Sequence, residues 1–553
     1  MNDVIITLPS GESLALPYGT EVLGLLQKTP MSRGCGSTVA ALVNNELVSL
    51  SYKLKHNAVL IPVSLEDPAG QTVYKRSLCF LLTIAARRLF PERKLVIGHA
   101  LGDGYFYHFS GMEETPAGDI EKLAAEMAEL AGNNLPITRT VVAYHEAVEY
   151  FRDHGQDAVV DLLEYRNESK IPLYRCGDYM DLAHNPLAPC TGILKHFQLR
   201  PYAPGFVLRF PVPAGGSGFG EFRDSPLLFS IYREYKHWGK VLNVSSVGRL
   251  NRISATREIR EFIRVAEALQ SKKIAHIADL IGKRREKVKI VLIAGPSSSG
   301  KTTFAKRLSI ELTVLGFVPR MLSIDDYFVP REFTPRDPEG NYDFEALEAI
   351  DVELLNRHLL ELFQHREIDL PVFDFKTGAR KPNGGKLHLP PNGILLMEGI
   401  HGLNDRLTPL VESDKKYKIY VSALTQLNLD DHNRISTTDN RLIRRIVRDF
   451  QFRGHSAATT LAMWPSVRRG EDKNIFPFQD TADAAFNSAL DYELGVLKTI
   501  AEPMLRTVKP DNPNYYEAVR LQSFIGNFLP IPVKFVPETS ILREFVGDSG
   551  FKY

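Results

Sequence analysis

The hydrophobic pattern changes its period along the chain. Short alternating segments come first. VIITLPSGESLAL reads as two strands about a Pro-Ser-Gly turn, EVLGLLQ as a short helix, TVAALVNNELVSL as strand, Asn-Asn turn and strand, and AVLIPVS as a last strand. This order over residues 1–63 predicts a small α+β unit. RSLCFLLTIAARRLF then predicts a helix, residues 119–131 and 140–151 a helix pair, and a strand-rich stretch ends near VSSVGRL. Over 250–285, Ile259, Phe262, Ile263, Ala266 and Leu269 share one helical face, continued by Ile274, Ile277, Leu280 and Ile281. From Lys289 onward KIVLIA, GILLM and KIYVSA are continuous apolar runs, the pattern of buried parallel strands. FAKRLSIELTVLG is a helix with Phe304, Leu308 and Leu312 on one face. The end of the chain, FLPIPVKFVPETSILREFVGDSG, predicts a short strand and a docking tail without assignable chemistry.

KIVLIA runs directly into Gly295, Pro296, Ser297, Ser298, Ser299, Gly300, Lys301, Thr302 and Thr303, which satisfy GxxxxGK[ST] between a strand and a helix. Glycines let the backbone approach phosphate with its N–H groups facing the oxygens. The helix start adds favourable potential for an anion. Lys301 is placed to reach the β- and γ-phosphates, and the Thr302 hydroxyl to bind magnesium. This establishes nucleotide binding and no more.

Downstream motifs choose among the users of such a loop. VPRMLSIDDYF is a strand followed by two carboxylates. NYDFEALEAID, PVFDFKTGARK, GILLMEGIHGL with Glu398 at its strand end, KIYVSA and the arginine-rich DNRLIRRIVRDFQFRG follow in order. Together they resemble the uridine kinase/phosphoribulokinase family of P-loop kinases over about residues 288–500. The resemblance implies a parallel α/β sheet, ATP as donor and Mg2+. It assigns Asp325 as general base and, with Thr302 and Glu398, as a neighbour of the magnesium. A carboxylate there orients and deprotonates the acceptor hydroxyl. Asp326 either assists or binds magnesium, or is a helix N-cap or surface acid. Asp343, Phe373, Arg380 and Arg453 fall near the acceptor, and Arg445 and Arg448 near the transferring phosphoryl group. Arg441, Arg445 and Arg448 recur at helical spacing, suited to holding phosphate. The family's pyrimidine-reading tyrosine and histidine are here Phe373 and Gly378, so base discrimination is lost at those positions. The insertion containing Trp464, Arg468 and Arg469 either shapes a different acceptor pocket or packs on the N-terminal units.

Two further resemblances precede the kinase segment. ITLPSGE, the helix after PYGT, and NNELVSLSYKL before AVLIPV resemble the TGS domain of threonyl-tRNA synthetase, a β-grasp fold. Residues 65–248 resemble the second additional domain of threonyl- and alanyl-tRNA synthetases, which edits mischarged tRNA. That family draws metal-type ligands from an HxxxH and a CxxxH; the matching positions here are Arg76, Phe80, Ala183 and Leu187. A zinc site needs three or four converging N/S ligands, so the unit reads as a scaffold without editing chemistry. Its other polar residues, His99, Asp103, His108, Cys176, His184, Cys190 and His196, fit no compact zinc motif and read as structural or surface groups. The two modules imply an RNA contact through the N-terminal part. The cluster KRREKVK reads as a solvated helix end.

Composition changes this picture little. With 67 Lys+Arg against 66 Asp+Glu in 553 residues, a globally basic nucleic-acid coat is excluded. Cys35, Cys79, Cys176 and Cys190 are scattered, as expected of reduced thiols in a cytoplasmic protein. No apolar run approaches the roughly 20 residues that span a bilayer, and the N-terminus does not read as a signal peptide. The expected architecture is multidomain α/β and α+β: a TGS-like unit at 1–64, an editing-like unit at 65–248, a helical connector at 249–286, a kinase unit at 287–505 and a docking segment at 506–553. The expected activity is ATP- and magnesium-dependent phosphorylation of a small acceptor hydroxyl, with a nucleoside as acceptor. A non-nucleoside sugar or alcohol as acceptor, and an RNA- or ribosome-binding regulator with a nucleotide-sensing loop, stay open. The oligomeric state is not legible.

Overall fold

A computed structural model describes residues 3–28, 38–211, 218–337, 340, 342–374, 377–381 and 384–552. Cys35 lies outside the described residues; Cys79, Cys176 and Cys190 are free thiols.

The first sheet has five strands in the order Ser13–Leu16, Val4–Thr7, Ala58–Ser64, Thr38–Val43, Glu46–Ser49. The first strand pairs antiparallel with the second and parallel with Ala58–Ser64, which is β-grasp topology. Asn44 and Asn45 both take left-handed backbone (φ 51° and 61°), so the Asn-Asn pair makes the tight hairpin its sequence announced. Alternation puts Ile6 and Leu60 inside, against Val22 of the short helix Val22–Leu26.

The next unit packs the 22-residue helix Pro68–Leu89 and the helix Ala117–Gly132 on an antiparallel sheet. Its strand order is Gln198–Tyr202, Gly205–Arg209, Gly104–Phe109, Leu95–Leu101. A second sheet joins Thr138–Ala143, Lys170–Cys176 and Tyr179–Leu182. Two expectations are corrected here. Residues 138–143 are a strand, since Thr138, Thr140, Val141 and Val142 favour extended backbone, and the helix runs only over Tyr144–Asp153. The stretch ending near VSSVGRL is helical at Pro226–Val241 and Val247–Ser254. There Leu227, Leu228, Ile231 and Tyr235 recur at helical spacing and pack as one face.

The third sheet is entirely parallel, in the order Val318–Ser323, Gly393–Glu398, Ile290–Ala294, Lys416–Ser422, Ala484–Asn487. Ile290–Ala294 is buried at every position, as its unbroken apolar sequence requires. The connector helix Ile259–Gly282 buries Ile259, Phe262, Ile263, Ala266, Ile274, Ile277 and Ile281; Leu269 and Leu280 are only partly buried. This helix, the sheet and residues of the last 50 positions form one continuous core containing Ile277, Phe304, Phe486, Leu521, Ile541 and Phe545. No strand forms near the C-terminus among the described residues. Pro530, Pro532 and Pro537 remove donors that a strand would need, and the segment folds as Tyr515–Gly526, a turn at Val533–Phe535 and the short helix Arg543–Val546. No helix among the described residues is long and apolar enough to cross a membrane.

Candidate functional site

The loop Gly295–Gly300 leaves the C-terminal end of the central strand, where neighbouring strands diverge and a parallel sheet opens a crevice. Gly295 is required by packing: a Cβ there would stand 1.9 Å from the Val421 carbonyl oxygen. Ser298 and Gly300 take positive φ, 58° and 81°, curling the backbone toward the start of the helix Lys301–Val314. Lys301 Nζ folds back on its own loop, donating to the carbonyls of Gly295 (2.9 Å) and Pro296 (3.2 Å). Ser298 Oγ and Ser299 Oγ are buried without a hydrogen-bond partner, leaving polar groups in the loop that a phosphate can satisfy.

The acids gather at the adjacent strand ends. Thr302 Oγ1 donates to Glu398 Oε1 at 3.1 Å. The Glu398 carboxyl is pushed up to about 7, chiefly by burial and also by the charges of Asp325 and Glu544, against the opposing pull of Lys301 and the Thr302 hydroxyl. Asp325 lies in the turn Ile324–Tyr327 at the end of its strand, placed beside Glu398 by the parallel pairing of Ser323 with Glu398. One side of Asp325 is open to solvent, while the protein crowding it raises its pKa and the charges of Lys301, Arg453 and Arg448 oppose that rise. Asp326 accepts from the Phe373 backbone N–H, and burial raises its pKa. Hard oxygen donors, a hydroxyl with one or two carboxylates, suit Mg2+, which keeps waters and phosphate oxygens as its other ligands. Thr302, Glu398 and Asp325 therefore fit that ion.

The arginine helix Thr437–Arg453 divides its guanidinium groups between two tasks. Arg441 and Arg444 are fully buried. Arg441 donates to Ser297 O at 2.9 Å and pairs with Glu471; Arg444 donates to Ser298 O at 3.3 Å and pairs with Glu493. These two brace the loop's carbonyl side. Arg445 reaches Ser297 Oγ at 2.7 Å. Arg445, Arg448 and Arg453 all pair with the buried carboxylate of Asp449, at 3.2, 3.3 and 3.4 Å. One acid thus holds three cations, two of which, Arg448 and Arg453, act on Asp325.

The residues expected near the acceptor separate. Arg380 donates to the carbonyls of Phe328 (3.1 Å) and Tyr327 (3.2 Å) and pairs with Asp351 (3.0 Å), so it braces the turn carrying Asp325. Phe373 is 6% exposed and packs its ring 5.4 Å from that of Phe328; its backbone, not its ring, reaches Asp326. Gly378 has φ 71°, and a Cβ there would meet Arg331 Nε at 2.7 Å. Asp343 accepts from the Glu345 backbone N–H at 3.1 Å and lies 3.9 Å from Lys473 Nζ.

Three acids went unnoticed in the sequence. Glu471, on the helix Ala457–Asn474 formed by the insertion, accepts from the Ser297 backbone N–H at 2.9 Å. Glu544, from the C-terminal segment, accepts from the Thr303 N–H (3.2 Å) and hydroxyl (2.8 Å). Glu345 is pushed up to about 7 by burial and by the charge of Glu471. Glu471 and Glu544 come from segments outside the motifs, whereas Glu345 lies within NYDFEALEAID, two residues after Asp343. Trp464 of the insertion also lines a cavity against residues of the N-terminal units.

Residues 290–494 match the model of the phosphoribulokinase/uridine kinase family. The N-terminal part matches threonine–tRNA ligases. It is 34% identical over 197 residues to that of Carboxydothermus hydrogenoformans, covering 35% of this chain and 31% of the relative. It is 33% identical over 196 residues to that of Desulforamulus reducens, with 35% and 31% covered. The chain spans about a third of the length of these curated relatives. Among solved structures, a possible uridine kinase from Bacillus stearothermophilus aligns at TM-score 0.26 and 20% identity, covering 38% of this chain and 97% of that one. D-glycerate 3-kinase from Cryptococcus neoformans aligns at TM-score 0.22 and 14% identity, covering 46% and 87%.

Proposed function

We propose that this chain, a kinase-type P-loop unit of the phosphoribulokinase/uridine kinase family behind a threonine–tRNA ligase-like N-terminal part, transfers the γ-phosphoryl group of ATP to a hydroxyl of a small, nucleoside-like acceptor. The observation that carries this reading is the Thr302–Glu398 contact, with Asp325 at the neighbouring strand end and Lys301 beside both. Gly295 to Thr303 enclose the phosphates, with Lys301 exchanging its carbonyl partners for phosphate oxygens. Thr302, Glu398 and Asp325 hold Mg2+, which when bound neutralises charge on the phosphate oxygens. Asp325 accepts the acceptor's hydroxyl proton as that oxygen bonds to the γ-phosphorus. The bond to the β-phosphate oxygen breaks, ADP leaves, and Asp325 releases its proton to solvent. Arg445, Arg448 and Arg453 neutralise the transferring group from the Asp449 side. Asp343 accepts from the acceptor's hydroxyls. Arg380 holds the Asp325 turn in place.

One observation favours an acceptor other than a pyrimidine nucleoside. Phe373 is buried and Gly378 sits in left-handed backbone against Arg331, so neither offers a base-reading group. A sugar or other alcohol is the second reading. The likeness to threonine–tRNA ligases supports an RNA contact through the N-terminal half, testable by tRNA filter binding. The decisive experiment screens nucleosides, sugars and small alcohols for ATP-dependent phosphorylation by the full chain and by Lys301→Ala. The expected result is at least one phosphorylated acceptor, with turnover lowered about 10²–10³-fold or more in Lys301→Ala. Wild-type turnover in that variant sinks the proposal.

A further inference from the structure

A cavity of about 410 Å³ lies away from the P-loop, between the helix Pro68–Leu89 and the segment that leads into the arginine helix. Its volume is that of a small-molecule site. It occupies the face where the editing-like unit has lost its metal-type ligands, but part of its wall is new. His432, Arg434, Ser436, Asp439, Trp464 and Arg520 come from beyond the editing-like unit.

The charges of this wall do not cancel. Arg520 is neutralised twice, by Asp439 at 2.7 Å and Glu517 at 2.7 Å. His184 stands 3.4 Å from Asp430, and His432 3.5 Å from Asp181. Three cations of the lining have no ion pair among the described residues: Lys75, whose Nζ lies 5.7 Å over the Phe210 ring, Arg76 and Arg434. Arg76 makes no hydrogen bond or ion pair among the described residues; burial and the charge of Arg520 lower its pKa, and the charge of Asp439 is among those that oppose the fall. Arg434 stacks its guanidinium 4.8 Å above the Tyr105 ring, and its Nε is buried without a partner. Guanidinium groups held this way present planar pairs of donors that match phosphate or carboxylate oxygens. Phe80, Tyr105 and Trp464 supply apolar wall beside them.

We propose that this cavity binds a small organic anion, its phosphate or carboxylate group held by Arg76 and Arg434 and its body against Phe80 and Trp464. The site is separate from the P-loop and does not depend on the kinase reading. The cavity wall continues into the loop-bracing helix: Ser436 caps it, Asp439 lies in its first turn, and Arg441 on its next turn holds Ser297 O.

The test is isothermal titration of the full chain with inorganic phosphate, glycerol 3-phosphate and citrate. The first two report a phosphate-bearing ligand and the third a carboxylate. One saturable site per chain is expected for at least one probe, weakened tenfold or more in Arg76→Leu and in Arg434→Leu and retained in Lys301→Ala. Thr72→Trp, an exposed position on the cavity wall, guards against misfolding of the arginine variants and should also block binding. No saturable binding of any probe overturns the proposal. So does equal affinity in wild type and Thr72→Trp, or binding lost in Lys301→Ala but kept in Arg76→Leu, which would place the anion on the P-loop.

Discussion

The P-loop crevice and the face that resembles a synthetase editing domain are built from different groups. At the crevice, acids crowd together: Glu398 is held up to about 7 with Asp325 and Glu544 among the causes, and Thr302 donates into the group. Crowded, desolvated carboxylates are unfavourable unless a cation joins them. At the editing face the ligand positions have turned apolar or basic. Phe80 is 5% exposed with its ring 5.3 Å from Tyr179, Leu187 is 6% exposed, and Ala183 packs beside them. A buried Phe or Leu contributes roughly 1.5–3 kcal/mol of transfer free energy, so Phe80 and Leu187 stabilise this face by packing. The crevice gathers acids around Lys301 and Thr302, whereas the other face joins apolar packing at Phe80 and Leu187 to the unpaired guanidinium of Arg76.

The sharpest way to break this comparison is to remove the base. Asp325→Asn keeps shape and hydrogen bonding but cannot take the proton. The expected outcome is a fall in kcat of about 10²–10⁴-fold, with ATP affinity changed far less, read by steady-state kinetics and nucleotide titration. Normal turnover would shift the role to Asp326, whose carboxyl already accepts from the Phe373 backbone.

The pH response sharpens it further. Glu398 rises from its ordinary 4.5 to about 7 in the folded state. Between those values the folded chain binds more protons than the unfolded one, so without metal its stability falls as pH rises through this window. Mg2+ needs the ionised carboxylate, so its affinity should increase as pH rises through about 7. Thermal melts from pH 4.5 to 8, with and without Mg2+, should show that decline and its reversal by the ion. Glu398→Gln should flatten both. A metal response independent of pH would remove Glu398 from the site.

A smaller effect is expected from the C-terminal segment. Glu544 accepts from Thr303 at the helix start and its charge raises Glu398. Glu544→Gln should lower the pH midpoint of Mg2+ binding, tighten nucleotide binding by lifting a negative charge from the phosphate region, and cost stability of about 0.3–1 kcal/mol. Unchanged midpoint and affinity would mean the contact is purely structural. Ile541 is the contrasting position. It is fully buried against Gly300, and Ile541→Ala should cost about 2–5 kcal/mol in denaturant melts.

These tail contacts mark where sequence reasoning ended. The loop from Gly295 to Thr303, the parallel strands and the connector helix were legible because each is a local pattern: a motif, an apolar run, a helical face. The positions of Lys301, Thr302, Asp325 and Glu398 follow once the strands pair, since chemistry at strand ends is set by register. Glu471, Glu544 and Asp449 were not legible because their partners lie far off in sequence or inside a run of arginines read as one uniform face. The burial of Arg441 and Arg444 as loop braces depends on Glu471 and Glu493, which no periodicity connects to them. The missed strand at 138–143 and the helix at 226–241 are failures of period assignment. The proline-rich tail was misread as extended because its apolar residues were weighed above its missing donors.

The last prediction concerns the quiet half of the comparison and expects almost nothing to change. Among the described residues no group of three or more His, Cys, Asp or Glu is arranged to hold a metal. His184 and His432 face Asp430 and Asp181 in separate pairs, and His99 is held between the Ala100 carbonyl and the Thr437 hydroxyl. Full chain incubated with mischarged tRNA should therefore release no amino acid above background, and chelation should leave its melting temperature unmoved. Metal analysis should find zinc far below one per chain. Restoring ligands should fail as well: Phe80→His would put an imidazole into a cluster of Leu81, Tyr107 and Tyr179, where an unpaired polar ring costs roughly 1–3 kcal/mol. The variant should melt earlier than wild type and still bind no zinc. One tightly held zinc per wild-type chain, lost in His184→Ala together with a measurable deacylation rate, would overturn this side of the comparison and return chemistry to the N-terminal half.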